Sequence, residues 1–307
     1  MNILVTGGAG FIGSNITRFL CDKKHRVICL DDFSCADFRN LQGLDCELIY
    51  GDVVKEGIFK KMPRLDAVIH EAAITDTTLK DDKKMVAVNF SGFKNVLGYC
   101  LKQRVKLVYA SSAGVYGDVP SPMREDCPVN PLNIYAYSKY QCDRAAISLI
   151  KSKNTPPLVG LRYFNVYGPG EHHKNKAASM IYQLYLQMKQ DRRPRVFKCG
   201  EQKRDFIYVK DVVAATVKSL ELDKSAVVNV GTGNARSFND IIKIINGVLK
   251  KNLSADYFDN PCTGVYQNNT EADINNLKKI IGYIPQYSLE EGIKDYISNY
   301  LNGKGGL

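Results

Sequence analysis

Tyr135 and Lys139, in the run Tyr135-Ala136-Tyr137-Ser138-Lys139, stand four residues apart, so on a helix they share one face. An ammonium beside a phenol stabilises the tyrosinate, which can exchange a proton with an alcohol while a cofactor moves a hydride. The lysine can also hold the ribose of that cofactor. A second chemical run opens the chain: Val5-Thr6-Gly7-Gly8-Ala9-Gly10-Phe11-Ile12-Gly13. Gly7, Gly10 and Gly13 follow an apolar strand pattern and begin a helical one. In that context a glycine loop brings backbone N–H groups against a pyrophosphate at a helix N-terminus. Asp31 closes the second apolar run, 18 residues after Gly13, where it can accept hydrogen bonds from an adenosine ribose. It favours NAD by repelling a 2'-phosphate, while Arg39 nearby leaves NADP open. Asp52, after a third run, is placed to meet the adenine. Ser111-Ser112 ends the run Lys106–Ala110, and the C-terminal ends of parallel strands are where such sheets build sites. The Ser112 hydroxyl can bond the reacting oxygen. Taken singly, Tyr135 reads as one amphipathic helix residue among 18 tyrosines, the glycines as a tight turn and Asp52 as a turn aspartate. Only their combination argues for nicotinamide-dependent oxidation and reduction of an alcohol.

The elements that must position these residues are legible as short, continuously apolar runs: Asn2–Thr6, Val27–Leu30, Glu47–Tyr50, Ala67–His70, Lys106–Ala110, Leu158–Leu161 and Val227–Val230. Continuous rather than alternating hydrophobicity suits strands buried on both faces of a parallel sheet. The segments Phe11–Lys23, Lys83–Gln103, Ile134–Ser152 and Asp211–Leu222 read as crossover helices. The expected fold class is α/β, a doubly wound parallel sheet of Rossmann type with a second, smaller α/β substrate-binding lobe. Residues 1–163 form the expected dinucleotide-binding domain, to which 203–233 return; 164–202 and 234–307 form the lobe. Helical stretches are expected at Ala177–Gln190, Ser237–Lys250 and Leu289–Leu301, with a break at Pro261-Cys262-Thr263-Gly264.

Composition narrows the function classes. The 307 residues are 45% hydrophobic and 24% charged, with a net charge of +10, which suits a large soluble globular unit. The basic residues are spread along the chain without a nucleic-acid motif, so the excess reads as attraction for a small phosphorylated metabolite rather than for nucleic acid. Nine cysteines, an odd number without a CxxC spacing, argue against a disulfide framework or zinc site and fit a reducing cytosol. Met1 leads straight into a strand pattern rather than a leader, and no apolar run is long enough to span a bilayer. A cytoplasmic protein without a membrane partner is expected. Adjacent His172 and His173 suggest no metal, since neighbouring side chains point apart and no acidic cluster supports them.

Thr6-Gly7-x-x-Gly10-x-x-Gly13, Ser111-Ser-Ala-Gly-Val-Tyr-Gly117, Tyr135-x-x-x-Lys139 and Arg162-Tyr-Phe-Asn-Val-Tyr-Gly-Pro169 together resemble the extended short-chain dehydrogenase/reductases, from Met1 to about Leu301. That superfamily acts mostly on nucleotide-diphosphate sugars. Ala113-Gly114 stands where its dehydratases carry Asp-Glu, which disfavours dehydration. Three further segments resemble the ADP-L-glycero-D-manno-heptose 6-epimerase family. They are His70-Glu-Ala-Ala-Ile-Thr-Asp-Thr-Thr78, Gly168-Pro-Gly-Glu-His-His-Lys174 leading to Ala178-Ser-Met180, and Val265-Tyr-Gln-Asn-Asn-Thr-Glu-Ala-Asp273. The resemblance implies that Lys174 faces Tyr135 across the substrate, so that a carbonyl formed at C6 is reduced again from its other face. It implies a tightly bound NAD or NADP held by the glycine loop with Phe11 and Ile12, by Asp31, Asp32, Asp52 and Val53, and by Ala72, Ala73, Asn89, Tyr135, Lys139 and Val166. Thr75, Ser111, Ser112, Asn165, Lys174, Ser179, Gln183, Phe197, Arg204 and Tyr266 would line the sugar-nucleotide pocket, with Arg204 on a phosphate. A homo-oligomer is implied as well. Read as bystanders, Lys174 is a solvated loop residue, Phe197 core and Gln183 an exposed helix position. Gly170 departs from the arginine many family members carry after Gly-Pro. Two other readings stand beside the 6-epimerase: a UDP-hexose or UDP-hexuronic acid 4-epimerase needing only Ser112, Tyr135 and Lys139, and a non-catalytic nicotinamide-binding scaffold.

Overall fold

The computed structural model describes residues 1–150, 155–259 and 269–303. Its strands, in chain order, are β1 (Asn2–Thr6), β2 (Arg26–Asp31), β3 (Glu47–Tyr50), β4 (Ala67–His70), β5 (Lys106–Ser112), β6 (Leu158–Tyr163), β7 (Asn165–Tyr167), β8 (Arg195–Phe197), β9 (Lys203–Tyr208), β10 (Ala226–Val230), β11 (Ala235–Ser237), β12 (Asp256–Phe258) and β13 (Asn269–Thr270). Seven of them make one parallel sheet in the order β10-β6-β5-β4-β1-β2-β3. Along β1, Ile3 and Val5 enter one core while Leu4 enters the other, and Ile69 and Val68 divide likewise on β4. Both faces are therefore apolar, which is why the runs read as continuous hydrophobicity.

The helices are α1 (Phe11–Asp22), α2 (Asp82–Val86), α3 (Gly92–Gln103), α4 (Ile134–Ile150), α5 (Met180–Lys189), α6 (Val209–Lys218), α7 (Phe238–Leu249) and α8 (Leu289–Asp295). Phe11, Ile16 and Leu20 of α1 share one core with Val209, Val212 and Val213 of α6. Phe93 and Val96 of α3 share the other with Cys142 and Ala146 of α4. Several expected helices are shorter or broken: over 289–301 α8 gives way to a π-helical stretch, Tyr296–Leu301, and α6 ends at Lys218 before a 3-10 turn, Ser219–Glu221. A π-helical turn, Ala87–Ser91, interrupts the helix expected over 83–103. The helix expected from Ala177 begins at Met180, because the Ser179 hydroxyl caps it by accepting from the Tyr182 amide. Ser237 and Asp240 form a reciprocal capping box that starts α7 where the sequence places it. The break at 261–264 lies outside the described residues.

In the smaller sheet β9 pairs with β11, β13 and β7, while β8 pairs with β12. Within 203–233, β9 belongs to this smaller sheet and β10 to the edge of the main one. Asp205 at the centre of β9 is fully buried, accepting from the Thr232 amide at 2.8 Å, the Gly233 amide at 2.9 Å and the Ala272 amide at 3.0 Å. It thereby ties the loop after β10 to the smaller sheet. Between α4 and the sheet lies a buried pair, Arg162 Nε to Asp143 Oδ2 at 2.9 Å, with Tyr109 donating to Asp143 and Arg162 donating to the Tyr116 hydroxyl. A satisfied buried pair of this kind holds two elements in one relation. Here it fixes α4 against β5 and β6.

Candidate active site

The strand order reverses beside β1, whose neighbours are β2 and β4, and doubly wound sheets bind ligands in the crevice that such a reversal opens. A cavity of about 1120 Å³ occupies it, continuous from the glycine loop to the smaller lobe. Gly7 has φ +68°, and a Cβ there would lie 2.6 Å from the Ala72 nitrogen. A Cβ on Gly13 would lie 2.0 Å from the Gly7 carbonyl oxygen. The loop folds this tightly only because both lack side chains. Its cap residue, Gly10, offers no side chain to α1, so the first amides of that helix are left to a ligand at its positive end.

Around the loop the expected acids are in place. Asp31 is 7% exposed, its carboxylate accepting from the amides of Ala9 at 2.9 Å and Phe33 at 2.8 Å. Burial raises its pKa and those amide bonds oppose the rise. Asp32 accepts from the Ser34 amide and hydroxyl, and Asp52 from the Val54 amide. Phe11, Ile12, Val53, Ala72, Ala73 and Val166 line the same space. The glycine cradle, the helix terminus and an acid after β2 fit a dinucleotide.

Tyr135, Lys139, Ser111 and Ser112 form the middle wall. Lys139 is 3% exposed and donates to the Ala110 carbonyl at 2.9 Å, so its charged end is fixed against the end of β5. The Ser112 Oγ accepts from the Gly114 amide at 3.1 Å, leaving its own proton to donate. The buried Ser111 hydroxyl has no hydrogen-bond partner among the described residues, an orphan that a ligand oxygen can satisfy.

Lys174, on the turn His172–Ala177, also lines the cavity, its Nζ 5.6 Å from the centroid of the Phe11 ring. Burial lowers its pKa and Glu171 counters this. Glu171 is itself fully buried and accepts from the Gly168 amide at 3.1 Å, the Ser179 amide at 2.6 Å and the Ser179 hydroxyl at 2.9 Å. Ser179 lines the cavity but is held from behind by this carboxylate. Gln183 donates to the Ala178 and Lys176 carbonyls. Thr75, Asn165, Phe197 and Arg204 complete the expected lining, with Arg204 donating to the Lys203 carbonyl at 2.8 Å and Phe197 edge-on to Phe258 at 5.0 Å.

Asn89 is 1% exposed, accepting from the Ile74 amide at 2.7 Å and donating to the Ile74 carbonyl at 3.0 Å and the Ser138 hydroxyl at 3.0 Å. Its amide group matches a backbone unit on both sides, so it braces the segment carrying Ala72–Thr75 against α4. Tyr266 lies outside the described residues. Among the described residues no three His, Cys, Asp or Glu gather as a metal site.

Several cavity residues escaped the sequence reading. Glu71, after β4, accepts from the Tyr163 hydroxyl at 2.9 Å, and burial pushes its pKa up to about 7 against that bond and Lys139. In the sequence it stands only as one member of the run His70–Thr78, with nothing to mark a role of its own. Arg192, Arg193 and Arg195 line the outer end with Gln187 and Phe258. Their signal was present as three arginines in four residues, Arg192-Arg193-Pro194-Arg195, unusually dense for a chain whose charge is otherwise dispersed.

A doubly wound parallel sheet with a glycine cradle, an acid after its second strand and a tyrosine–lysine pair on the helix after its fifth defines a short-chain dehydrogenase/reductase of the extended kind. Residues 3–231 match the NAD dependent epimerase/dehydratase family, and the chain belongs to it. It is 38% identical, over 99% of both chains, to the ADP-L-glycero-D-manno-heptose-6-epimerase of Brachyspira hyodysenteriae. The crystal structure of the Helicobacter pylori ADP-L-glycero-D-manno-heptose-6-epimerase superposes with a TM-score of 0.89 at 38% identity, covering 96% of this chain and 94% of that one. A UDP-N-acetylglucosamine 4-epimerase from Methanobrevibacter ruminantium, in complex with UDP-N-acetylmuramic acid, gives a TM-score of 0.90 at 30% identity over 96% of each chain.

Proposed function

We propose that the chain inverts C6 of an ADP-glycero-manno-heptose, using Tyr135 and Lys174 as opposed proton carriers. What supports the reading is one observation above the rest: Lys174, on the loop after β7, lines the same cavity as Tyr135 and Ser112 from a different element. The full-length likeness to 6-epimerases agrees with it.

A nicotinamide dinucleotide bound at the glycine cradle, with Asp31 and Lys139 holding its two ends, would accept hydride and give it back. Tyr135 or Lys174, in its basic form, takes the proton of the C6 hydroxyl as the C6–H bond gives up its two electrons, leaving a ketone. Ser112 donates to that oxygen and keeps it in place. Once the ketone presents its other face and hydride would return to it, the second carrier gives a proton to the oxygen, so that the cycle involves no net oxidation. Lys139, anchored on Ala110, stabilises the tyrosinate and holds the cofactor ribose, while Arg204 meets a phosphate of the nucleotide. The same reading takes the protein as a cytoplasmic homo-oligomer acting on a soluble nucleotide sugar, without nucleic-acid or membrane partners.

Proton NMR of ADP-D-glycero-D-manno-heptose with the purified protein and no added cofactor tests this. The expected result is appearance of the L-glycero epimer. Tyr135→Phe and Lys174→Met are each expected to abolish turnover with cofactor still bound, and full activity of Lys174→Met would remove the two-carrier assignment. The likeness to a UDP-sugar 4-epimerase favours one second reading, in which Lys174 is idle. Turnover of a UDP-hexose, with the heptose left unchanged, would select it.

A further inference from the structure

Lys174 sits on a loop, and a lysine on a loop is ordinarily free to move through many rotamers. Here the loop is fastened to the stretch that follows β2. His172 Nε2 lies 3.1 Å from Asp37 Oδ2, and since a carboxylate only accepts, Nε2 carries the proton. Asn40, 1% exposed, donates to the Gly170 carbonyl at 3.3 Å and to the Ala9 carbonyl of the glycine loop at 3.0 Å. Asn15 of α1 donates to the Pro169 carbonyl at 2.8 Å. These contacts grip residues 169–172 immediately before Lys174. The groups facing the lysine are Glu171, Cys35, His173 and the Phe11 ring.

Asp37 is suited to the role. It is 8% exposed, and its bonds to Arg39 and His172 hold its carboxyl far below the usual range, so it remains an anionic acceptor. Neither Asp37 nor His172 lines the cavity, so neither reaches a substrate, whereas Asp31, Ser34 and Cys35 of the same stretch do line its adenosine end.

We propose that Asp37 and His172 are positioning residues for Lys174: the stretch that receives the adenosine half of the cofactor also latches the loop that brings the far proton carrier to the sugar. The catalytic half of this statement rests on the role given to Lys174 above; the latch does not.

The test uses the cofactor-loaded enzyme with His172→Ala, Asp37→Ala and Asp37→Asn. The Asn variant keeps an oxygen acceptor for His172. The first readout is the pH midpoint for acylation of Lys174 by acetic anhydride, followed by mass spectrometry. Wild type should give a midpoint below that of an ordinary lysine. Both Ala variants should move it upward, and Asp37→Asn should restore it. The second readout is kcat on the heptose, expected to fall on the order of tenfold to a hundredfold in the Ala variants with KM and bound cofactor unchanged. A wild-type acylation midpoint in both Ala variants, or an Asp37→Asn variant as altered as Asp37→Ala, overturns the latch. If Lys174→Met retains full activity, the proton-carrier role fails while acylation still decides the latch.

Discussion

Glu71 follows β4 directly, and its carboxyl accepts from the Tyr163 hydroxyl, which also lies 2.8 Å from Thr216 Oγ1. Burial is the larger influence on this acid and pushes its pKa up to about 7, so the folded chain keeps a proton that the unfolded chain releases near the ordinary value of 4.5. The sign follows directly. Below about pH 4.5 both states hold the proton; between there and about pH 7 the unfolded state binds fewer, so stability falls as pH rises, by about 3 kcal/mol in total. Glu71→Gln keeps the acceptor for Tyr163 and cannot ionise. Urea midpoints of the cofactor-free protein between pH 4.5 and 7.5 should therefore decline less in the variant, and parallel declines would refute the assignment. Residues in local motifs, such as Tyr135, Lys139 and the loop glycines, were legible in the sequence because neighbours in the chain are neighbours in the site. Glu71 was not, because its protonation depends on strands that are distant in sequence.

At the scale of the element, α1 shows local preference set against site geometry. Gly13 lies inside its first turn, where alanine would be the better helix former by about 1 kcal/mol. A Cβ there, however, would collide with the Gly7 carbonyl and push the loop away from the pyrophosphate position. Gly13→Ala is thus expected to weaken NAD binding by about tenfold or more and also to lower the melting temperature of the cofactor-free protein, since the clash is with backbone that is in place without the cofactor. Calorimetric titration with NAD alongside a thermal scan separates the two effects; unchanged affinity would mean that the loop absorbs the methyl. The same contrast explains Asn89. Its place in a helical stretch before α3 was readable, but the direction of its side chain, inward onto the Ile74 backbone, depends on how the π-helical turn Ala87–Ser91 packs on α4.

For the whole molecule, 42 Lys and Arg against 32 Asp and Glu give a net positive charge, and Arg192, Arg193 and Arg195, with the buried Arg204, add to it in the lining of the cavity. A field of this kind raises the encounter rate with an anionic nucleotide sugar and is screened by salt. The value of kcat/KM should fall severalfold as ionic strength rises from about 0.02 to about 0.3 M, with kcat nearly constant. A flat kcat/KM would show that the arginines do not steer the substrate.

The strands of the parallel sheet, the glycine cradle with its acid, and the tyrosine–lysine pair are readable along the chain, because each is encoded by residues within a few turns or one strand of each other. A short motif also signals Lys174. Folding alone establishes that Lys174 shares a cavity with Tyr135, that Asn89 braces the Ile74 backbone, and that Asp37 and His172 join two loops 135 residues apart. Those facts come from the reversal of strand order beside β1 and from the passage of the chain between the main sheet and the smaller ones. They bring distant segments to one crevice, and no periodicity within a single segment records such a meeting.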